Sequence, residues 1–299
     1  MSATSPRERI VRFGAQQSLA GILTTPRDVR PETPYLVLVN AGIVHRVGSN
    51  RLYVDMARAM AARGYPVLRF DLSGLGDSDD VHVGASLAEA AIKDITAAFD
   101  FLQQTRQAGS FILGGLCSGA NTSILTAFAD TRVAAVLLVD PSVPRTRRSI
   151  LLHHLRRLQH PATWTRLLAL EHPLLQRVFE RLRVRAGVPV DLRHPSQLEV
   201  LPSEEPSPAE TRQGLQHMID RGVHLMIVFT GGINQQYNYR NQLFDLLPGF
   251  DFRDQLRLEF MPETDHTISD RGSRGALFQS IGDWIGACFP LATRSRASG

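Results

Sequence analysis

The chain has 299 residues, 43% of them hydrophobic, and a formal net charge of +4. That length suits one large domain, or a core domain carrying an insertion, with enough apolar material for a substantial core. No run reaches the roughly 18 apolar residues that a membrane span needs, and the opening MSATSPRERI lacks an apolar stretch of signal-peptide length, so a cytoplasmic protein is expected.

The elements follow in chain order. Two short strands are predicted near Arg9–Phe13 and Leu19–Thr24, then a strand at Tyr35–Val39 and a helix over Asn50–Arg63 that stops before Gly64. Pro66–Phe70 reads as a strand. Leu87–Gln104 reads as a helix, with Ala88, Ile92, Ile95, Phe99 and Leu102 at three- and four-residue intervals. A strand at Ser110–Leu113, a helix over Ser118–Ala129 and an uninterrupted apolar strand at Val133–Val139 follow. Such alternation implies an α/β fold with a mostly parallel sheet covered by helices on both faces.

The rhythm breaks at Pro141. Residues 145–185 look helical and rich in Leu and Arg, and 195–208 carry four prolines. Alternation resumes with strand His224–Phe229, a helix near Asn238–Leu247, strand Gln255–Phe260 and a closing helix, about Arg274–Phe289, with Leu277, Ile281, Trp284 and Cys288 along one face. The expected organisation is a core formed by 1–144 and 213–292, a helical lid at 145–212 and a tail at 293–299. The positive charge is concentrated in that insertion. Between Arg145 and Arg193 eleven Arg face three acids, a net of +8, so the rest of the chain carries 4 − 8 = −4.

Two cysteines, Cys117 and Cys288, make no disulfide framework, and no Cys/His spacing suggests zinc. The only lysine, Lys93, lies in a helical pattern, which argues against Schiff-base or P-loop chemistry. No cofactor is implied. The informative stretch is Phe111–Ser123, FILGGLCSGANTS. Gly-x-Cys-x-Gly between an apolar strand and a helix matches a nucleophile elbow, in which small residues on either side let strand and helix approach while the side chain stands clear of the sheet. The helix N-terminus favours a thiolate on Cys117, and the Ser118 N–H is placed to stabilise an oxyanion. A core cysteine beside a glycine turn is the bland alternative. Three features in the right chain order weigh against it. Asn40-Ala41-Gly42 ends an earlier strand and offers the Gly42 N–H as second oxyanion donor. A Gly-rich turn, Asp71–Ser78, follows the next strand. Thr264-Asp265-His266-Thr267 follows the last strand, where His266 is a base within reach of the elbow. Centred on Ser118 instead, the motif loses its framing glycines, since Leu116 and Ala120 flank it.

With these residues the chain resembles the α/β-hydrolase superfamily over nearly its whole length. Gly42-Ile43-Val44-His45-Arg46-Val47-Gly48-Ser49-Asn50-Arg51, the Gly-Leu-Cys elbow and Asp-His-Thr are similar to hydrolases associated with exosortase systems. A cysteine elbow also resembles aminoacyl-shuttling transferases of nonribosomal peptide assembly lines and dienelactone hydrolases. The resemblance implies an acid after strand His224–Phe229, but that stretch reads Thr230-Gly231-Gly232-Ile233-Asn234, with no carboxylate before Asp245. Two repairs are open. Asp140, at the end of the preceding strand, supplies the acid, or Asn234 or Asn238 orients the imidazole as in a Cys-His-Asn arrangement.

A thiolate forms thioesters, so Cys117 suits hydrolysis of activated esters, thioesters or lactones, or acyl transfer between thiols. A small-molecule acyl substrate is expected. An arginine-rich lid suits an acidic carrier protein, a phosphopantetheine arm or coenzyme A, whereas the segment lacks the interleaved aromatics of a nucleic-acid binder. The competing class is a non-catalytic binding protein on a hydrolase scaffold, which the missing acid supports.

Overall fold

The computed structural model describes residues 6–82, 84–159 and 206–291. Eight strands form one sheet: β1 (Arg7–Phe13), β2 (Leu19–Thr25), β3 (Tyr35–Val39), β4 (Val67–Phe70), β5 (Phe111–Leu116), β6 (Val133–Val139), β7 (His224–Thr230) and β8 (Leu256–Met261). Their order is β1-β2-β4-β3-β5-β6-β7-β8, with β1 and β2 antiparallel and the rest parallel. The described helices are α1 (Leu52–Ala62), α2 (Leu87–Arg106), α3 (Ser118–Ala129), α4 (Arg147–Gln159), α5 (Pro208–Asp220), α6 (Gln242–Leu246) and α7 (Arg271–Cys288). This is the α/β-hydrolase fold, and it agrees with the expected class.

Every residue of β3 is buried, because helices cover both faces of the sheet. Alternate residues feed two cores. Tyr35, Val37 and Val39 join Ile95, Phe99 and Leu102 of α2 and Met218 of α5. Leu36 and Leu38 join Met56 and Met60 of α1 and Leu277, Ile281 and Trp284 of α7. The pleat sends successive side chains to opposite faces, so a single apolar run serves both layers.

Most element bounds fall within two or three residues of expectation, and the departures have physical reasons. In α2 the buried face is Ala91, Asp94, Ile95, Ala98, Phe99 and Leu102, not the stripe through Ala88 and Ile92. Asp94 tolerates burial because its carboxylate accepts the Ser73 N–H at 2.7 Å and hydroxyl at 2.9 Å, and bonds His82 Nε2 at 2.8 Å. The helix expected from Asn238 shrinks to Gln242–Leu246. The chain before it winds around Tyr237, whose ring stacks on Phe229 at 3.5 Å, and the Asn238 N–H is taken by the Gln242 side chain.

The chain divides into two compact units, Met1–Pro144 with Pro206–Gly299, and Arg145–Glu205. The expected lid boundary at 212 needs moving, because α5 begins at Pro208 in the first unit. Ser207 and Glu210 form a capping box with Pro208 in the first turn, a start signal hidden among prolines that read as irregular connection. Gly214 lets α5 press on the Phe128 ring of α3, where a Cβ would lie 2.6 Å from the ring. In the second unit, α4 begins at a Thr146 hydroxyl that accepts the Ser149 N–H at 3.0 Å. The rest of the expected lid and the tail at 293–299 lie outside the described residues. No helix among the described residues is long and apolar enough to cross a membrane.

Candidate active site

Cys117 sits between β5 and α3 with φ 57° and ψ −120°, a conformation that L-residues adopt only when their surroundings hold them there. The surroundings are visible. Its N–H donates to the Val139 carbonyl at 2.9 Å, and its carbonyl accepts from Ala120 and Asn121. The framing glycines are required by close approach rather than by their own dihedrals. A Cβ on Gly115 would lie 2.4 Å from the Gly119 carbonyl carbon, and one on Gly119 would lie 2.5 Å from the Asn40 carbonyl oxygen. The turn thereby brings the first turn of α3 over the ends of β3 and β5.

Three side chains that the sequence singled out meet here. The His266 Nδ1 bonds Asp140 Oδ2 at 2.8 Å, and the imidazole and the Cys117 thiol are close enough to shift each other's titration. Asp140, fully buried at its side chain, ends β6 with φ 47°. Its carboxylate is fixed by Thr230, whose N–H and hydroxyl both donate to it at 2.6 Å. The hydrogen bond to Asp140 and the neighbouring Cys117 raise His266 to about 10. The same contact with the imidazole lowers Cys117 below the usual thiol range, against the desolvation that would raise it, and the Ser118 N–H adds to the lowering. Both shifts run toward the charged forms, a thiolate beside an imidazolium, with the Asp140 carboxylate behind the ring. Among the described residues no cluster of ligands fit to hold a metal ion is present.

Neither Asn234 nor Asn238 occupies the position beside the imidazole. Asn234 is exposed and Asn238 is buried, its N–H on Gln242. The two glycines that open the stretch after β7 leave no room for side chains. A Cβ on Gly231 would lie 1.8 Å from the Pro262 carbonyl oxygen, and one on Gly232 would lie 2.1 Å from the His266 N. The backbone after β7 is pressed against the histidine loop, and the carboxylate beside the imidazole comes from the end of the neighbouring strand, β6. Asp265 shapes that loop. It accepts from Thr267 and Ser269 through both backbone and side chain, and these bonds hold its carboxyl well below the usual range.

The Gly42 N–H is not open. It donates to Ser118 Oγ at 2.6 Å, while the Ser118 N–H faces the Cys117 sulfur. The expectation of a directly available Gly42 donor is corrected to that extent. The loop bearing it is held by residues that sequence reasoning missed. Asn40 Oδ1 accepts the Leu72 N–H and its Nδ2 donates to the Val44 carbonyl. The Arg46 guanidinium and N–H bind the buried Asp71. The Tyr53 hydroxyl bridges strand ends, donating to the Val39 carbonyl at 2.8 Å and accepting the Leu116 N–H at 2.9 Å. Tyr53 and Thr230 carry no local sequence signal, because each acts through a bond to residues 63 or 90 positions away.

Fold and site architecture together define an α/β-hydrolase. The chain belongs to the serine aminopeptidase S33 family, whose pattern matches residues 37–212. The family description names a serine, whereas the elbow here carries Cys117. The chain is similar in fold to solved hydrolases. An α/β-hydrolase from a Penicillium species is 18% identical, with TM-score 0.58, over 95% of this chain and 100% of that one. An esterase from Pyrococcus furiosus is 12% identical, with TM-score 0.57, over 95% and 92%. An α/β serine hydrolase without a lid from Xanthomonas campestris is 14% identical, with TM-score 0.57, over 97% and 98%. No curated sequence matches the chain.

Proposed function

We propose that the protein is an acyl-transfer hydrolase of activated esters or thioesters that works through an acyl-Cys117 intermediate. The observation that carries this reading is the line Asp140–His266–Cys117, with the carboxylate 2.8 Å from the ring and the sulfur on the strained turn. The Cys117 thiolate attacks the carbonyl carbon, a C–S bond forms, and the carbonyl electron pair moves to oxygen. The Ser118 N–H stabilises that oxyanion, and the Gly42 N–H joins it once the Ser118 side chain rotates away. Collapse breaks the bond to the leaving group, which takes a proton from the imidazolium. The neutral imidazole then removes a proton from water, whose oxygen attacks the thioester and frees the acid and the Cys117 thiolate.

Ser118 is a poorer nucleophile in this arrangement, because its hydroxyl bonds Gly42 rather than His266. The alternative of a non-catalytic scaffold rested on the absent acid after β7, and the Asp140 carboxylate on the His266 ring speaks against it. The anionic partners suggested by sequence, an acidic carrier protein, phosphopantetheine or coenzyme A, rest on a basic segment that lies mostly outside the described residues.

The test is intact mass spectrometry after mixing with an acyl p-nitrophenyl ester and with an acyl thioester. A mass increase of one acyl group that decays in plain buffer as nitrophenol or thiol accumulates is the expected outcome. An adduct that persists in water and leaves only when a thiol is added would replace hydrolysis by transfer between thiols. Absence of both adduct and turnover would sink the enzymatic reading.

A further inference from the structure

A cluster of arginines outside the site surrounds a cavity of about 480 Å³ at the opposite edge of the sheet. It is walled by the start of β1, the segment after β2, the start of β3 and the end of α2. Five arginines line it, Arg7, Arg9, Arg27, Arg30 and Arg106, and no carboxylate does. Several arginines elsewhere pair with acids, Arg58 with Glu8, Arg132 with Asp130 and Asp100, and Arg274 with Asp55, though they stand singly rather than gathered around one cavity. Here, among the described residues, Arg7, Arg9, Arg27 and Arg106 make no salt bridge, and Arg30 reaches only Glu32 at 3.9 Å.

A second observation points the same way. Tyr35 lines the cavity with its ring buried, while its hydroxyl makes no hydrogen bond among the described residues and is not one of the oxygens sealed from solvent. The hydroxyl is therefore open to the cavity and free to donate to a ligand. The field of Arg106 acts on this hydroxyl, opposing the rise that burial imposes. Guanidinium forks and a phenol donor suit the oxygens of a phosphate group, and the volume is that of a small-molecule site.

We infer that this cavity binds a diphosphate-bearing small molecule, such as a nucleoside diphosphate, at a site separate from Cys117. Separation follows from topology. Tyr35 pairs with Phe111 at the start of β5, and Cys117 lies six residues further along, which in an extended strand is roughly 20 Å. A ligand here does not touch the reacting acyl group.

Isothermal titration of the full chain with ADP, inorganic pyrophosphate, adenosine and an acidic peptide tests this. Binding of ADP or pyrophosphate, but not adenosine, is expected, and it should weaken as chloride is raised. Comparing ADP with pyrophosphate distinguishes an organic from an inorganic source. Arg27→Gln and Arg106→Gln should each weaken binding by about tenfold, the usual scale of a charge-assisted hydrogen bond. Tyr35→Phe removes one oxygen and should weaken it with no loss of thermal stability. No binding of either phosphate probe overturns the proposal, as does binding that all three variants retain. A response to the acidic peptide alone overturns it in favour of a protein partner.

Discussion

Turnover of an activated ester by the Cys117→Ala protein is expected to fall by about 10⁴- to 10⁶-fold, the scale seen when a nucleophile is removed from a catalytic unit. The substitution keeps a Cβ on the strained turn and removes only a half-buried sulfur, so the melting temperature should change little. Cys117→Ser separates acidity from position. A hydroxyl there meets the same imidazole but ionises far less readily than a thiol beside a cation, so partial activity well below wild type is expected. The measurement is initial rate against substrate concentration for the three proteins. Equal rates for wild type and Cys117→Ala would remove Cys117 from the chemistry and return attention to Ser118.

Asp140→Asn is expected to slow acylation by about 10²- to 10³-fold, less than the ~10⁴-fold typical of a serine triad, because a thiol ionises more readily than a hydroxyl. The amide has lost the charge that lifts His266, so the alkaline limb of the pH–rate profile should move down from about 10. The sign follows from linkage. A raised histidine contributes stability that is complete below its ordinary value, near 6.5, and is lost as pH rises through about 10. The lowered Cys117 contributes stability that is lost as pH falls through its depressed value. The pair is therefore strongest between those limits, and Asp140→Asn narrows that window from above. A structural cost accompanies it. Both Thr230 donors point at the carboxylate, and an amide that leaves one of them unmatched costs about 1–3 kcal/mol. Single-turnover rates and thermal melts across pH read the two effects apart. An acylation rate unchanged by the substitution would show that Asp140 does not act through His266.

The fold was legible because burial on both sheet faces writes itself as unbroken apolar runs, Tyr35–Val39 and Val133–Val139 among them. The elbow was legible because two glycines four apart meet a steric demand that no other residue meets at that turn. The third member remained open between Asp140, Asn234 and Asn238, because the bond that joins Asp140 to His266 spans 126 residues and leaves no local pattern. The buried face of α2 was misplaced for a related reason. Asp94 lies inward on bonds to Ser73 and His82, and periodicity counts only apolar residues. Tyr53, Thr230 and the Arg46–Asp71 pair position the site through long-range bonds with no local pattern.

The most direct measurement is the pH dependence of alkylation of the two cysteines by iodoacetamide, read by peptide mass spectrometry. Cys288 is an internal control, since burial raises its thiol while the imidazole lowers that of Cys117. Cys117 should react rapidly at mildly acidic pH where Cys288 is silent, and His266→Ala should abolish the difference. Two cysteines that label together along an ordinary thiol curve, unaffected by loss of His266, would contradict the ion pair on which the proposed chemistry depends.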